Sequence, residues 1–156
     1  MNATRNAAML CGFLIAAACF NAGAQSDLAN HHVVNGLDVY LGVMPADAVG
    51  SLPAQERAEK VMHGGKAGSD GCYYHLNLSL YDSASHALVR DAELRAAVEE
   101  LGSGTETRKL EPMTINGFVS YGNYFRMVAS HAYSIDVQIA RPGRPATHTT
   151  FQYRVY

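Results

Sequence analysis

Residues 73–81 alternate without a break: Tyr74, Leu76, Leu78 and Leu80 take one side of a period-two pattern, and Tyr73, His75, Asn77, Ser79 and Tyr81 the other. Successive side chains of an extended strand point to opposite faces, so this segment is a strand with one apolar and one polar face. The apolar face has to be buried against another layer. The same period recurs at 37–43, at 110–115, at 118–127, at 147–156, and at 133–140, where Tyr133, Ile135, Val137 and Ile139 share a side. Residues 91–101 are ambiguous. Ala, Glu, Leu and Arg favour a helix, yet Ala92, Leu94, Ala96 and Val98 alternate, and the flanking strands decide for a strand.

About seven short strands, punctuated at Gly102-Ser103-Gly104, Asn116-Gly117 and Pro142-Gly143 and with no βαβ alternation, predict an all-β immunoglobulin-like antiparallel β-sandwich, with a closed barrel as the alternative. One insertion interrupts the pattern at 45–60, where Ser51, Pro53 and the Ala/Glu/Arg-rich run behind them predict a short helix. It leads into the glycine-rich loop 62–71, which carries Met62 and His63.

The N-terminus has the order of a secretory signal: Arg5, an apolar stretch at 7–20, then the small residues Ala22-Gly23-Ala24. The stretch is shorter than the ~20 residues a spanning helix needs, so cleavage after Ala24 is expected rather than a membrane anchor. Cys19 offers a lipoprotein alternative, but Ala16 stands where such signals carry Leu. The mature chain, 25–156, is long enough for one domain with its own core. Losing Arg5 takes the formal charge from −2 to −3, with acidic and basic residues interspersed, which argues against nucleic acid as a partner. Cys11 and Cys19 leave with the signal, so Cys72 has no partner for an internal disulfide in an oxidising compartment.

No nucleophile elbow, zincin helix, paired-cysteine redox motif or phosphate-binding glycine loop is present, so the chain is not expected to be an enzyme. Metal binding is better supported. All seven histidines fall in the mature chain, and so do Met44, Met62, Met113 and Met127, at strand ends and in loops. Thioether and imidazole together suit copper, above all the cuprous ion. His75, on the polar face of its strand, is placed to meet a histidine from the 62–71 loop. The pair His31-His32 reads as an incidental feature of a tail, and His86 and His148 as surface residues.

Pro112-Met113, Gly117, Tyr121-Gly122-Asn123 and Met127 follow one another in a run that resembles a stretch of the bacterial periplasmic iron-transport-associated family. Its members are immunoglobulin-like, copper-binding proteins that serve iron or copper acquisition. The family also carries His-Leu-Glu on an earlier strand, and His75-Leu76-Asn77 is similar. The resemblance implies that His75 and Met113 are metal ligands. Asn77 replaces the family's glutamate and Ser120 its second histidine, so Met62, His63, Met127 or His131 would have to complete the site. It also implies an inner-membrane metal transporter or other envelope protein as partner, and a homodimer. The competing expectation is an exported interaction module without metal, its nine tyrosines and strand edges meeting another envelope protein.

Overall fold

The computed structural model describes residues 30–50, 72–115 and 117–156. The proposed signal at 1–24, the predicted helix after Ser51 and the loop with Met62 and His63 lie outside the described residues. Eight strands are present among those described: β1 (His31–Val34), β2 (Leu37–Pro45), β3 (Tyr73–Asp82), β4 (Glu93–Glu100), β5 (Thr105–Ile115), β6 (Phe118–Arg126), β7 (Ala132–Ala140) and β8 (Thr147–Arg154). The only described helix is the five-residue α1 (Ala46–Gly50), at the start of the insertion. No described helix is long and apolar enough to cross a membrane.

The all-β expectation holds, with two differences in detail. The strands number eight rather than about seven, because β1 forms a hairpin with β2 that pairs Val34 with Leu37. Its turn is Asn35-Gly36, with φ of 47° and 75°. Two consecutive left-handed residues match the right-handed twist of a two-residue hairpin, and Asn-Gly is the pair that adopts them at least cost. His31 and His32 are therefore strand residues, not a tail. The second difference is that all strands are antiparallel neighbours in one continuous sheet, in the order β1-β2-β3-β6-β5-β4-β7-β8. The two ends of that order approach each other. His32 Nδ1 lies 2.7 Å from Thr149 Oγ1, Asn35 Nδ2 donates to Thr147 Oγ1 at 3.0 Å, and the His32 ring stacks on Phe151 with centroids 4.2 Å apart. The sheet is thus nearly a closed barrel.

Alternation decides what fills it. Val39 and Leu41 of β2, Leu76, Leu78 and Leu80 of β3, Leu94, Ala96 and Val98 of β4, and Ile135, Val137 and Ile139 of β7 all enter one core. The ambiguous segment at 91–101 resolves as a strand for this reason, since its apolar residues are the buried ones.

Continuity rests on β5, which changes partner along its length. Residues 105–110 pair with β4, whereas Glu111 to Ile115 pair with β6. At the crossover the ladder to β6 stops, and the Asn123 side chain takes its place: Nδ2 donates to the Lys109 carbonyl at 2.8 Å while Oδ1 accepts from the Tyr124 amide at 2.8 Å. Asn123 sits among buried neighbours, where an unmet amide or carbonyl is costly. Asn123→Leu is expected to lower unfolding free energy by about 1–3 kcal/mol, by removing both bonds at once. Urea unfolding followed by tyrosine fluorescence measures this, and a loss under about 0.5 kcal/mol would show that the corner does not need the amide.

Candidate metal centre

His75 belongs to the polar face of β3, but it is only 3 % exposed. Its register partners are Met44 on β2 and Tyr124 on β6. The imidazole meets the Tyr124 ring with centroids 5.0 Å apart and planes tilted by 53°. The decisive neighbour is Gly122: a Cβ built there would lie 2.8 Å from His75 Nε2, 3.0 Å from Cε1 and 3.0 Å from the Leu76 carbonyl oxygen. The imidazole therefore reaches across β6 and rests on the backbone of Gly122. Only glycine leaves that space open, and its use here is close approach rather than a turn.

Gly122 pairs with Asn77 on one side and with Glu111 on the other, and Met113 pairs with Ser120, the next position of β6 on the same face. Directly opposite residues share a face, so His75, Asn77, Glu111, Met113 and Ser120 all project on the side of the sheet away from the main core. Successive same-face positions along a strand are about 6–7 Å apart, so the backbones of His75, opposite Tyr124, and Met113, opposite Ser120, are separated by two such steps along β6 and by two strand spacings across it. Met113 is 2 % exposed and Tyr124 2 % exposed, yet neither belongs to the central hydrophobic cluster. The outer face thus also holds buried groups, an imidazole beside a phenol and, further along, a thioether. The Asn77 amide oxygen is also buried there, with no hydrogen-bond partner among the described residues.

The remaining expected ligands fall elsewhere. Met127 is fully buried in the central core, and its amide donates to the Cys72 carbonyl at 2.7 Å. Its thioether packs among the interior residues, on the Tyr121 and Phe125 side of the chain, which the two-residue period already requires. His131 lies beyond β6 and pairs with Glu100 at the end of β4. The structure therefore places His75 and Met113 on the same outer face, on the two strands that flank β6 and two same-face positions apart along it, with Met127 in the core and His131 at the end of β4. Sequence reasoning passed over Glu111, whose signal was its position two residues before Met113, and Gly122, whose role appears only once the ring is seen above it.

The chemistry on offer is mixed. Among the described residues, no three His, Cys, Asp or Glu side chains converge as a metal-binding group. A cation on this face would draw instead on the His75 nitrogen, the Met113 sulfur and the Asn77 amide oxygen. That donor set fits a soft ion of low coordination number and suits a hard dication poorly.

No protein-family model and no curated protein sequence matches the chain. Solved structures do share its fold. A DUF4426 family protein from Pseudomonas aeruginosa superposes with a TM-score of 0.62 at 12 % identity, over 83 % of this chain and 97 % of that one. A copper-bound variant of FetP from uropathogenic Escherichia coli gives 0.60 at 10 % identity, over 80 % of this chain and 93 % of that one. The copper-reconstituted P19 protein from Campylobacter jejuni gives 0.57 at 9 % identity, over 80 % and 92 %. The fold is that of the copper-binding proteins the sequence motifs resemble.

Gly122→Ala places a methyl group against the imidazole and the Leu76 carbonyl, and is expected to cost about 1–3 kcal/mol of stability through overpacking. His75→Ala in the same chain should recover part of that loss, because the ring is the closer of the two obstacles. Thermal unfolding of the two single variants and the double variant checks it: strict additivity would mean that ring and glycine do not touch.

Proposed function

We propose that this chain is an exported copper-binding protein that holds cuprous ion on the outer face of its sheet and passes it to another envelope component, with no turnover of its own. The observation that carries the reading is the buried His75 imidazole laid over Gly122, with Met113 buried on the same face outside the core. Burial of a histidine and a methionine away from the hydrophobic interior is not explained by core packing. A cation coordinated there accounts for both residues and for the buried Asn77 oxygen.

His75 and Met113 are the proposed primary ligands, with Asn77 contributing its amide oxygen. Met62 and His63, in the segment between α1 and β3, are the proposed additional donors. Glu111, across Gly122 from Asn77, brings to this face a carboxylate that the Asn77 position lacks. The copper-bound FetP and P19 structures, which share the fold, support the choice of metal. The signal-like order of residues 5–24 supports delivery to the periplasm or beyond. An inner-membrane transporter, or a second copy of the chain, is the proposed partner of the loaded protein.

Thioether coordination favours the reduced ion, and each ligand of a low-coordinate site carries much of the affinity. The purified mature chain is expected to bind one cuprous ion in competition with a colorimetric chelator. His75→Ala and Met113→Leu should each weaken binding by about tenfold or more, equivalent to about 1.4 kcal/mol. Affinity unchanged in both variants would rule out this face as the site. Failure of the wild-type chain to take cuprous or cupric ion at all would favour the metal-free interaction module.

A further inference from the structure

The outer face of the sheet carries a second feature, separate from His75. Tyr40 and Asp38 of β2 pair with Ser79 and Tyr81 of β3 respectively, so the four side chains form a square with the two tyrosines on one diagonal. These residues and His86 line a pocket of ≈ 540 Å³, within the range of small-molecule sites. The tyrosine rings stand at 87° to each other with centroids 5.8 Å apart, forming a corner. His31 stacks on Tyr40 at 4.2 Å, and its Nε2 lies 2.9 Å from Asp38 Oδ1, so one histidine braces both the aromatic wall and the carboxylate. The Ser83 hydroxyl and the His31 imidazole hold the Asp38 carboxyl below its usual range, so that it is ionised at neutral pH.

The rim is built with equal care. Asp82 Oδ1 accepts from the amides of Ala84 and Ser85, at 3.2 and 2.9 Å, and from the Ser85 hydroxyl at 2.8 Å. The His86 amide donates to the Asp82 carbonyl at 2.8 Å, and His86 itself adopts a left-handed φ of 55°. A non-glycine residue held in that conformation stores local strain, and here the strained residue is the one that lines the pocket.

We propose that this pocket binds a small organic cation of the alkylammonium class, with the Asp38 carboxylate as counter-ion and the faces of Tyr40 and Tyr81 as walls. Among the described residues that line the pocket there is no lysine or arginine, and the carboxylate of Asp38 is negative, which disfavours anions. The negative faces of two orthogonal rings attract a cation that sheds its water, the arrangement by which aromatic corners recognise quaternary ammonium groups. The site lies at the far end of β3 from His75 and does not depend on copper.

Choline is the probe, with its neutral isostere 3,3-dimethyl-1-butanol and with methyl glucoside as comparators, and heteronuclear NMR titration of the metal-free mature chain as the readout. Choline is expected to shift the amides of Tyr40, Ser79, Tyr81 and His86 saturably, and about tenfold more tightly than the neutral isostere. Asp38→Asn and Tyr40→Leu should each weaken choline binding severalfold while leaving the amide spectrum of β4 and β7 unchanged. Equal binding of the isostere, binding of methyl glucoside in place of choline, or unaltered choline affinity in both variants would overturn the proposal. So would the absence of saturable shifts at these residues.

Discussion

The fold depends on β5 serving two partners. A sheet that curls far enough to bring its ends together has to turn a corner, and this one turns where β5 leaves β6 and joins β4. At the corner a single side-chain amide, that of Asn123, donates to the Lys109 carbonyl where the backbone ladder to β6 has ended. Its energetic weight comes from burial rather than from bond strength, since a polar group satisfied in the interior adds little but one left unsatisfied costs much. The same crossover sets the candidate metal centre. Glu111 and Met113 are on the β6 side of the corner, and so they share a face with His75 and Asn77 rather than entering the core.

Two faces of one sheet thus carry two kinds of burial. The inner face holds leucine, isoleucine, valine and the aromatic rings of Tyr121, Phe125 and Phe151, and supplies stability by removing apolar area from water. The outer face buries His75, Met113 and Tyr124, residues that carry nitrogen, sulfur and oxygen. Gly122 marks the border between the two demands, because the ring above it and the Leu76 carbonyl beside it exclude any side chain. Further along the same face, the Tyr40–Tyr81 corner offers different chemistry, a carboxylate among aromatic rings, with His31 stacked on Tyr40 and hydrogen-bonded to Asp38.

Much of this was legible in the residues, for reasons of period. Leu94, Ala96 and Val98 identified β4 as a strand against its helical composition, because burial follows alternation more closely than propensity. β1 was missed although Asn35-Gly36 is a strong hairpin signal, because the histidine pair before it drew attention as a tail. The first half of β5 was missed because Thr105 to Lys109 are polar and partner β4 at a surface, leaving no apolar period to read. At the site, residue type pointed to His75 and Met113, but their burial was not legible, since period-two logic alone puts them in solvent. Met127 was misplaced for the opposite reason: it shares the parity of Tyr121 and Phe125, so the alternation already assigned it to the core.

The central claim is that the imidazole of His75 and the sulfur of Met113 hold one metal ion together on the outer face of the sheet. X-ray absorption spectroscopy at the copper edge, on the cuprous-loaded mature chain and its Met113→Leu variant, tests this most directly. The account predicts sulfur and imidazole nitrogen scatterers in the first shell of the wild-type chain, with the sulfur contribution reduced in the variant. A first shell of nitrogen and oxygen alone, or a sulfur contribution undiminished without Met113, would contradict it.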